Sequence, residues 1–436
     1  MQGHLSAAGE ASPAGTVRNR RQHVIAGVAS MLGTTIEWYD FFIYGTAAAL
    51  IFNKLFFPAF DPLTGTLASF ATYTVGFLAR PLGGIVFGHF GDKVGRKSML
   101  LITLLMMGVP TIIIGLIPTY EQIGYWAAVI LVIMRIIQGL AVGGEWGGAV
   151  LMAVEHAPKG KKGFFGSLPQ TGVAPGLILS SLAMAGVASL PEQDMLGWAW
   201  RIPFVASVLL LMVGWFIRIK VAESPDFETM KKRGDEVGLP VLDVLRNHWR
   251  SLLKVCGARL AEVTWFYTVA TFALSYGTLQ LGLTKGLMLN AIICGALLAL
   301  FFMPLTGILG DRFGHRRIFA IGAVGICLFG FPFFKLLAAG QSGYVYLAMV
   351  IAIGVIYSLL YGPEGNLFSA QFPPHVRYSG ISLAVQVSGA IGGGLAPLVA
   401  TWLLKLGDGH PLLLAGYLTG LGVIAVISVS RMKSGD

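Results

Sequence analysis

The sequence predicts an all-α integral membrane fold of twelve transmembrane helices in two pseudo-symmetric six-helix bundles. Three observations carry that expectation. Of 436 residues, 55% are apolar and only 12% charged, with a mean hydropathy of +0.73, which is too apolar for a water-soluble fold of this length. Apolar runs of membrane-spanning length recur along the whole chain. A charged, glycine-rich segment also occurs twice, at closely similar points of the two halves.

In order, the runs fall at 24–52, 66–91, 98–118, 122–153, 164–189, 200–220, 250–281, 285–310, 317–339, 344–369, 378–405 and 410–431. No small-residue cleavage site follows the first run, so it is expected to stay as a helix. Residues 1–23 then form an N-terminal tail, 24–220 the first six-helix bundle, 221–249 a polar linker, 250–431 the second bundle and 432–436 a short tail. The linker holds the longest polar stretch, with a short interfacial helix expected over 241–250.

The formal net charge of +10 is a topology signal. Arg18, Arg20, Arg21, Lys93, Arg96, Lys97, Lys159, Lys161, Lys162, Lys231, Lys232, Arg233, Arg312, Arg316, Arg317 and Arg431 all fall on one side of the twelve-span arrangement. Lys54, Arg201, Lys285, Lys335 and Lys405 fall on the other. The positive-inside rule puts both termini in the cytoplasm, so the basic excess implies no nucleic-acid partner. Gly is abundant, at 58 residues, which suits close helix packing where hydrophobicity cannot drive association. Cys256, Cys294 and Cys327 lie in apolar runs without metal-like spacing, so neither disulfides nor zinc are expected.

Gly88-His-Phe-Gly-Asp-Lys-Val-Gly-Arg-Lys-Ser98 and Gly307-Ile-Leu-Gly-Asp-Arg-Phe-Gly-His-Arg-Arg317 share one frame, 219 residues apart. The same offset carries Gly144-Glu145-Trp146-Gly147 onto Pro363-Glu364-Gly365-Asn366. Two matches at one offset indicate a duplication of six helices, with a pseudo-two-fold axis along the membrane normal and a central site between halves that rock.

The Gly-x-x-Gly-Asp loop, with Arg135-x-x-Gln138-Gly139 in the fourth helix, resembles the major facilitator superfamily over nearly the whole chain. Glu37-Trp-Tyr-Asp40-Phe, Ala79-Arg80-Pro-Leu-Gly-Gly84, Gly143-Gly-Glu-Trp-Gly-Gly148, Trp200-Arg-Ile-Pro-Phe204, Glu223-Ser-Pro-x-Phe227 and Arg259-x-x-Glu262 are similar to the metabolite:proton symporters. Members of that family carry shikimate, 2-oxoglutarate, citrate, or proline and betaine. The resemblance implies alternating-access symport with H+ as the coupling ion and no other cofactor, in a bacterial cytoplasmic membrane. It also implies that Asp92 and Arg96 form a cytoplasmic gate with Glu155. Asp311 and Arg316 repeat that gate in the second half, where Gln371 stands at the position matching Glu155 and weakens the latch.

Ionisable residues at membrane depth are functional candidates because each is costly to bury. Glu37, Asp40 and Tyr44 share one face of the first helix. Asp40 falls near the midplane, where a carboxylate can carry a proton or instead serve as a fixed partner to a basic residue. Glu37 and Glu145 are further proton-coupling candidates. Arg80 and Arg135 offer planar forks for a substrate carboxylate, although the resemblance leaves Arg135 open to a structural or coupling role. Arg259 and Glu262, one turn apart, either neutralise each other or place Arg259 at the site. Trp38, Tyr39 and Tyr267 either cage a solute or pack. Gln138, Gln170 and Gln386 can hydrogen-bond solute or another helix.

Seven of the eight histidines, His23, His89, His156, His248, His315, His375 and His410, are scattered without catalytic or metal spacing, so no enzyme is expected. Neither a channel filter nor a sensory domain is visible. The function expected is proton-coupled symport of a small organic acid by a monomer in lipid. Uptake of a zwitterionic osmolyte such as proline or betaine, and export by the same fold, stand as alternatives.

Overall fold

The computed structural model describes residues 13–94, 96–143, 160–220, 240–373 and 376–434, with isolated positions between 146 and 157. All regular structure among the described residues is helical. The first six spans are α1 (Pro13–Leu50), α2 (Pro62–Val94), α3 (Arg96–Leu116), α4 (Trp126–Val142), α5 (Lys162–Ala188) and α6 (Arg201–Lys220). The second six are α7 (Trp249–Tyr267, continued by wider turns to Gln280), α8 (Lys285–Phe313), α9 (His315–Ala338), α10 (Ser342–Ser369), α11 (Ser379–Leu406) and α12 (Leu412–Ser430). A short helix, Pro240–Asn247, precedes α7, within the linker as expected.

Seven of these helices are long and apolar enough to cross a bilayer by length and composition alone, and an eighth span is the pair Glu192–Ala199 and Arg201–Phe216, bent by 43°. The chain is therefore a multi-pass membrane protein. Two of the helices outside that set, α1 and α7, are the ones that carry Asp40 and the Arg259–Glu262 pair. Local signals fix several boundaries. Asp61 accepts hydrogen bonds from the Leu63 and Thr64 amides (3.2 and 3.1 Å) and so caps α2; bonding from Thr64 holds its carboxyl below the usual carboxylate range. The Thr284 hydroxyl accepts from Leu287 N–H (3.2 Å) at the start of α8. Between α8 and α9 the chain reverses at Gly314, with φ of 94°, a conformation that explains the glycine of the second repeat.

Within the first half α2 packs on α4, α3 on α6 and α1 on α5; within the second, α9 packs on α12, α7 on α12 and α8 on α10. The halves meet where α5 packs on α8 and α2 on α11. The duplication exchanges these two contacts, since α2 matches α8 and α5 matches α11. Prolines interrupt six of the described helix interiors, including Pro81 beside Arg80 and Pro363 beside Glu364. Each removes a backbone donor from its helix. Turns of π-helix occur at Thr268–Phe272, Val350–Tyr357 and Gly389–Gly394, all facing the interface between the halves or the α8–α10 contact.

The α2–α4 contact is backbone on backbone. A Cβ on Gly139 would strike the Gly76 carbonyl, and one on Gly143 the Arg80 carbonyl. Small residues are what let two membrane helices approach this closely. Gly139→Ala is therefore expected to lower the thermal unfolding midpoint in detergent, at a cost of about 1–3 kcal/mol typical of overpacking. Gly416→Ala, where nothing lies within 4 Å of the added carbon, serves as the control that leaves the midpoint in place. Equal midpoints for the two variants would contradict the packing account.

Candidate functional site

Close approach of α2 and α4 puts two guanidinium groups side by side in the first half. Arg135 is fully buried, and Arg80 is nearly so. Gly76 makes room for Arg135: a Cβ there would lie 3.1 Å from its Nε and Nη2. The Arg135 carbon Cζ lies 4.1 Å from the Tyr44 ring centroid, with Phe41 and Tyr73 at 4.9 and 5.1 Å. Arg80 Cζ sits between Phe77 and Phe41, at 3.8 and 4.3 Å. Such contacts stabilise a cation in a dry site, but they leave N–H groups without acceptors. Nε of Arg80, and Nε and Nη2 of Arg135, make no hydrogen bond among the described residues.

A polar chain holds Arg135 from below. Its Nη1 donates to Gln138 Oε1 (2.8 Å), Gln138 Nε2 donates to the Thr111 hydroxyl (2.7 Å), and Thr111 bonds Met107 O (3.0 Å). Asp40 is buried beside Thr111 and faces Arg135 and Glu37 electrostatically. Its Oδ1 makes no hydrogen bond among the described residues. Glu37 and Asp40 together line a narrow cleft between α1, α3 and α6, bounded by Gly33, Ile36, Leu104, Met107, Gly108 and Leu211, with room for about one water molecule. Tyr44 is tied to Thr72 by a 2.6 Å hydroxyl contact.

The second half holds one cation and two anions. Arg259 Nη1 donates to both oxygens of Glu364 (2.5 and 2.7 Å) and lies 2.9 Å from Glu262 Oε2. All three side chains are at least 94% buried. The Tyr361 and Trp146 rings flank the guanidinium at 5.2 and 5.6 Å. Tyr267 reaches from α7 toward the first half, its ring centroid 5.2 Å from that of Phe77 and 6.4 Å from that of Trp38, so the two charged clusters share an aromatic seam.

The remaining candidates fall into three groups. Gln138 belongs to the Arg135 chain. Gln386 donates to Gly143 O (3.0 Å) across the halves. Gln170 lies against Tyr361 O and the Gly365 N–H, which its amide satisfies with nitrogen toward the first and oxygen toward the second. Tyr39 stands apart: its hydroxyl donates to Pro203 O (3.0 Å), a tie within the first half. Glu145, Glu155 and the side chains of Asp92 and Arg96 lie outside the described residues.

At the end of the bundle that carries the second repeat, Asp311 of α8 accepts the Gly163 and Phe164 amides of α5 (2.8 and 3.1 Å). A carboxylate of one half thus caps a helix of the other and meets the positive end of its dipole. Gly163 and Gly307 are in near backbone contact at the same place. Arg316 takes a different part from the one expected. It donates to Met432 O and Ser430 O (3.3 and 2.5 Å), while Gln371 bonds Lys433 N and O (both 3.0 Å). Both side chains fasten the end of α12 and do not bond each other. On the opposite side Lys405 donates to Thr64 (3.2 Å), and deeper in the interface Thr74 donates to Gly394 O (2.5 Å), so contacts close the halves at both ends.

Tyr73, Phe41, Phe77, Tyr357 and Tyr361, which line the clusters, carry no mark in the sequence that sets them apart from packing aromatics, and Glu364 stands out there only as part of the repeat. The duplication held a usable signal. Asp40 and Arg259 differ in number by the same 219 as the repeats, so the two halves place opposite charges at equivalent points.

Two homologous six-helix halves, closing on each other at both ends and burying charge between them, define a transporter of the alternating-access class. Residues 30–397 match the model of the Major Facilitator Superfamily, and the chain belongs to that family, whose members are transporters and not enzymes. It is 39% identical over 411 residues to the shikimate transporter of Escherichia coli K12, covering 94% of each chain. It is 38% identical over 416 residues to the inner membrane metabolite transport protein YhjE of the same organism, again covering 94% of each. With the proline/betaine transporter of Salmonella typhimurium LT2 it shares 35% over 418 residues, 93% of this chain and 82% of that protein. The fold matches a D-xylose-proton symporter crystal structure with a TM-score of 0.74 at 17% identity, covering 95% of this chain and 98% of that one.

Removing the Asp311 cap is expected to cost about 1 kcal/mol, which corresponds to about a five-fold shift in the ratio of closed to open states at that end. Spin labels at Lys161→Cys and Arg317→Cys, with the three native cysteines replaced by serine, report the distance distribution. Asp311→Ala should populate the longer distance; an unchanged distribution would show that the cap does not hold the halves.

Proposed function

We propose that this chain is a proton-coupled symporter that takes up a small organic acid across a bacterial cytoplasmic membrane, with both termini inside. The observation that carries the reading is the pair Arg80 and Arg135, buried between aromatic rings with N–H groups that find no acceptor among the described residues. A planar carboxylate supplies the missing acceptors. The relatives that carry shikimate and other metabolites support a solute of that chemistry.

Asp40 supplies the coupling. Ionised, it balances part of the charge of Arg135 through the interior; protonated, it leaves that guanidinium in excess. An anion is then held best when Asp40 carries a proton, so proton and acid load together, and their joint charge is close to neutral. Differential stabilisation of this sort drives the two-state change without any bond chemistry. The chain Arg135–Gln138–Thr111 fixes the geometry that makes Asp40 sense the substrate. A zwitterion is a second reading, favoured by the proline/betaine relatives and by the carboxylates and rings around Arg259, which can face a quaternary ammonium.

Proteoliposomes given labelled shikimate, 2-oxoglutarate, citrate or betaine, with and without an inward proton gradient, test this. One acid is expected to accumulate only with the gradient. Asp40→Asn should lose accumulation while keeping solute exchange at equal concentrations. Arg80→Lys should raise the apparent Kd at least ten-fold, about 1.4 kcal/mol. Gradient-independent uptake in the wild type removes the proton coupling, and selective uptake of betaine transfers the assignment to the zwitterion.

A further inference from the structure

The charge count around Arg259 is unbalanced. Two carboxylates, Glu262 and Glu364, face one guanidinium, and among the described residues no other charged group faces Glu262. The phenols of Tyr267, Tyr357 and Tyr361 are neutral neighbours, and the Trp146 ring covers the guanidinium. With both carboxylates ionised the cluster would hold a net negative charge at membrane depth, where an uncompensated charge costs several kcal/mol.

Hydrogen bonding distinguishes the two acids. Hydrogen bonds from Arg259 Nη1 run to both oxygens of Glu364. Glu262 Oε2 stands 2.9 Å from the same nitrogen yet receives no hydrogen bond from it or from any described group. An ionised carboxylate oxygen is acceptor-only, and one buried with nothing to accept is left unsatisfied.

We propose that Glu262 is a second proton-binding site, distinct from Asp40, that is protonated while Arg259 is committed to Glu364. One proton brings the cluster to neutrality. Loss of that proton recruits Arg259 across to Glu262, because Nη1 already lies within ion-pair distance of both acids. The exchange loosens α7 from α10, since the Arg259–Glu364 pair joins these two helices. By the repeat Arg259 stands at the position of Asp40 and Glu262 lies one turn further along the same helix, so each half has one proton-sensitive group on its first helix. Only the consequence for coupling rests on the symport reading; the protonation does not.

Infrared difference spectroscopy on the purified chain in liposomes at pH 7 reads this without a substrate. Subtracting the spectrum of Glu262→Gln from that of the wild type is expected to show the loss of one protonated-carboxyl C=O band. Glu262→Asp should move that band and Glu364→Asp should leave it in place. Asp40→Asn should retain it, so that failure of proton-driven uptake in that variant stays separable from this site. Loss of an ionised-carboxylate band in Glu262→Gln overturns the proposal, and so does a band that moves in Glu364→Asp instead. Each variant is compared at equal monodispersity on gel filtration, and Glu262→Asp, which keeps the acid, gives the answer if Glu262→Gln does not fold.

Discussion

Taking a guanidinium out of water costs several kcal/mol unless its charge and its donors are met inside the protein, and this chain does so three times at membrane depth. Each arginine is met differently. Among the described residues Arg259 has two acids, Arg135 has an amide and a set of rings with Asp40 at a distance, and Arg80 has rings with Glu37 at a distance. The gradation matters more than the burial. A fully paired cation is structural glue, whereas an incompletely paired one is a standing demand for an anion. Compensation is least complete between α2, α4 and α1, which is where the proposed substrate site falls.

Close helix packing makes this arrangement possible. Guanidinium groups on α2 and α4 can share one aromatic cage only because the backbones touch through Gly76, Gly139 and Gly143. A larger residue at any of these would push the helices apart and let water or lipid reach the charges. The same small-residue logic recurs between the halves at Gly163 and Gly307, where Asp311 caps α5. There the contact must also break during a transport cycle, and a single carboxylate on two amides is strong enough to hold and weak enough to release.

The architecture was readable in the sequence because hydropathy, basic loops and a 219-residue offset all bear on backbone-level facts. The individual charges were readable as well, since an ionisable residue in an apolar run is conspicuous. Partnership was harder. Arg259 and Glu262 are one turn apart and invite pairing, but the bidentate partner is Glu364, more than a hundred residues away, on a helix that only folding brings close. Tyr39 shares its helix face-spacing with nothing that marks it as a tie to Pro203. Arg316 sits in the repeat frame, yet it fastens α12, because the residue that would answer it is Gln371 and a neutral amide cannot compete with the carbonyls at a helix C-terminus. Aromatic linings such as Tyr73 and Phe77 are invisible in sequence, where they look like the many aromatics that merely pack.

The two halves descend from one unit but have diverged in charge. On the described residues the first half buries more cation than anion beside the interface, and the second buries more anion than cation. With Glu262 protonated, as proposed, the second cluster is neutral while Arg259 holds Glu364, and the charge left uncompensated beside the aromatic seam of Trp38, Phe77 and Tyr267 is that of the first half. On the proposed reading an anion at Arg80 and Arg135 would load with the proton on Asp40, the pair adding no net charge to that half. A duplicated fold can become a coupled carrier in this way, by letting equivalent helices acquire opposite charge so that two different ligands act on one closed state.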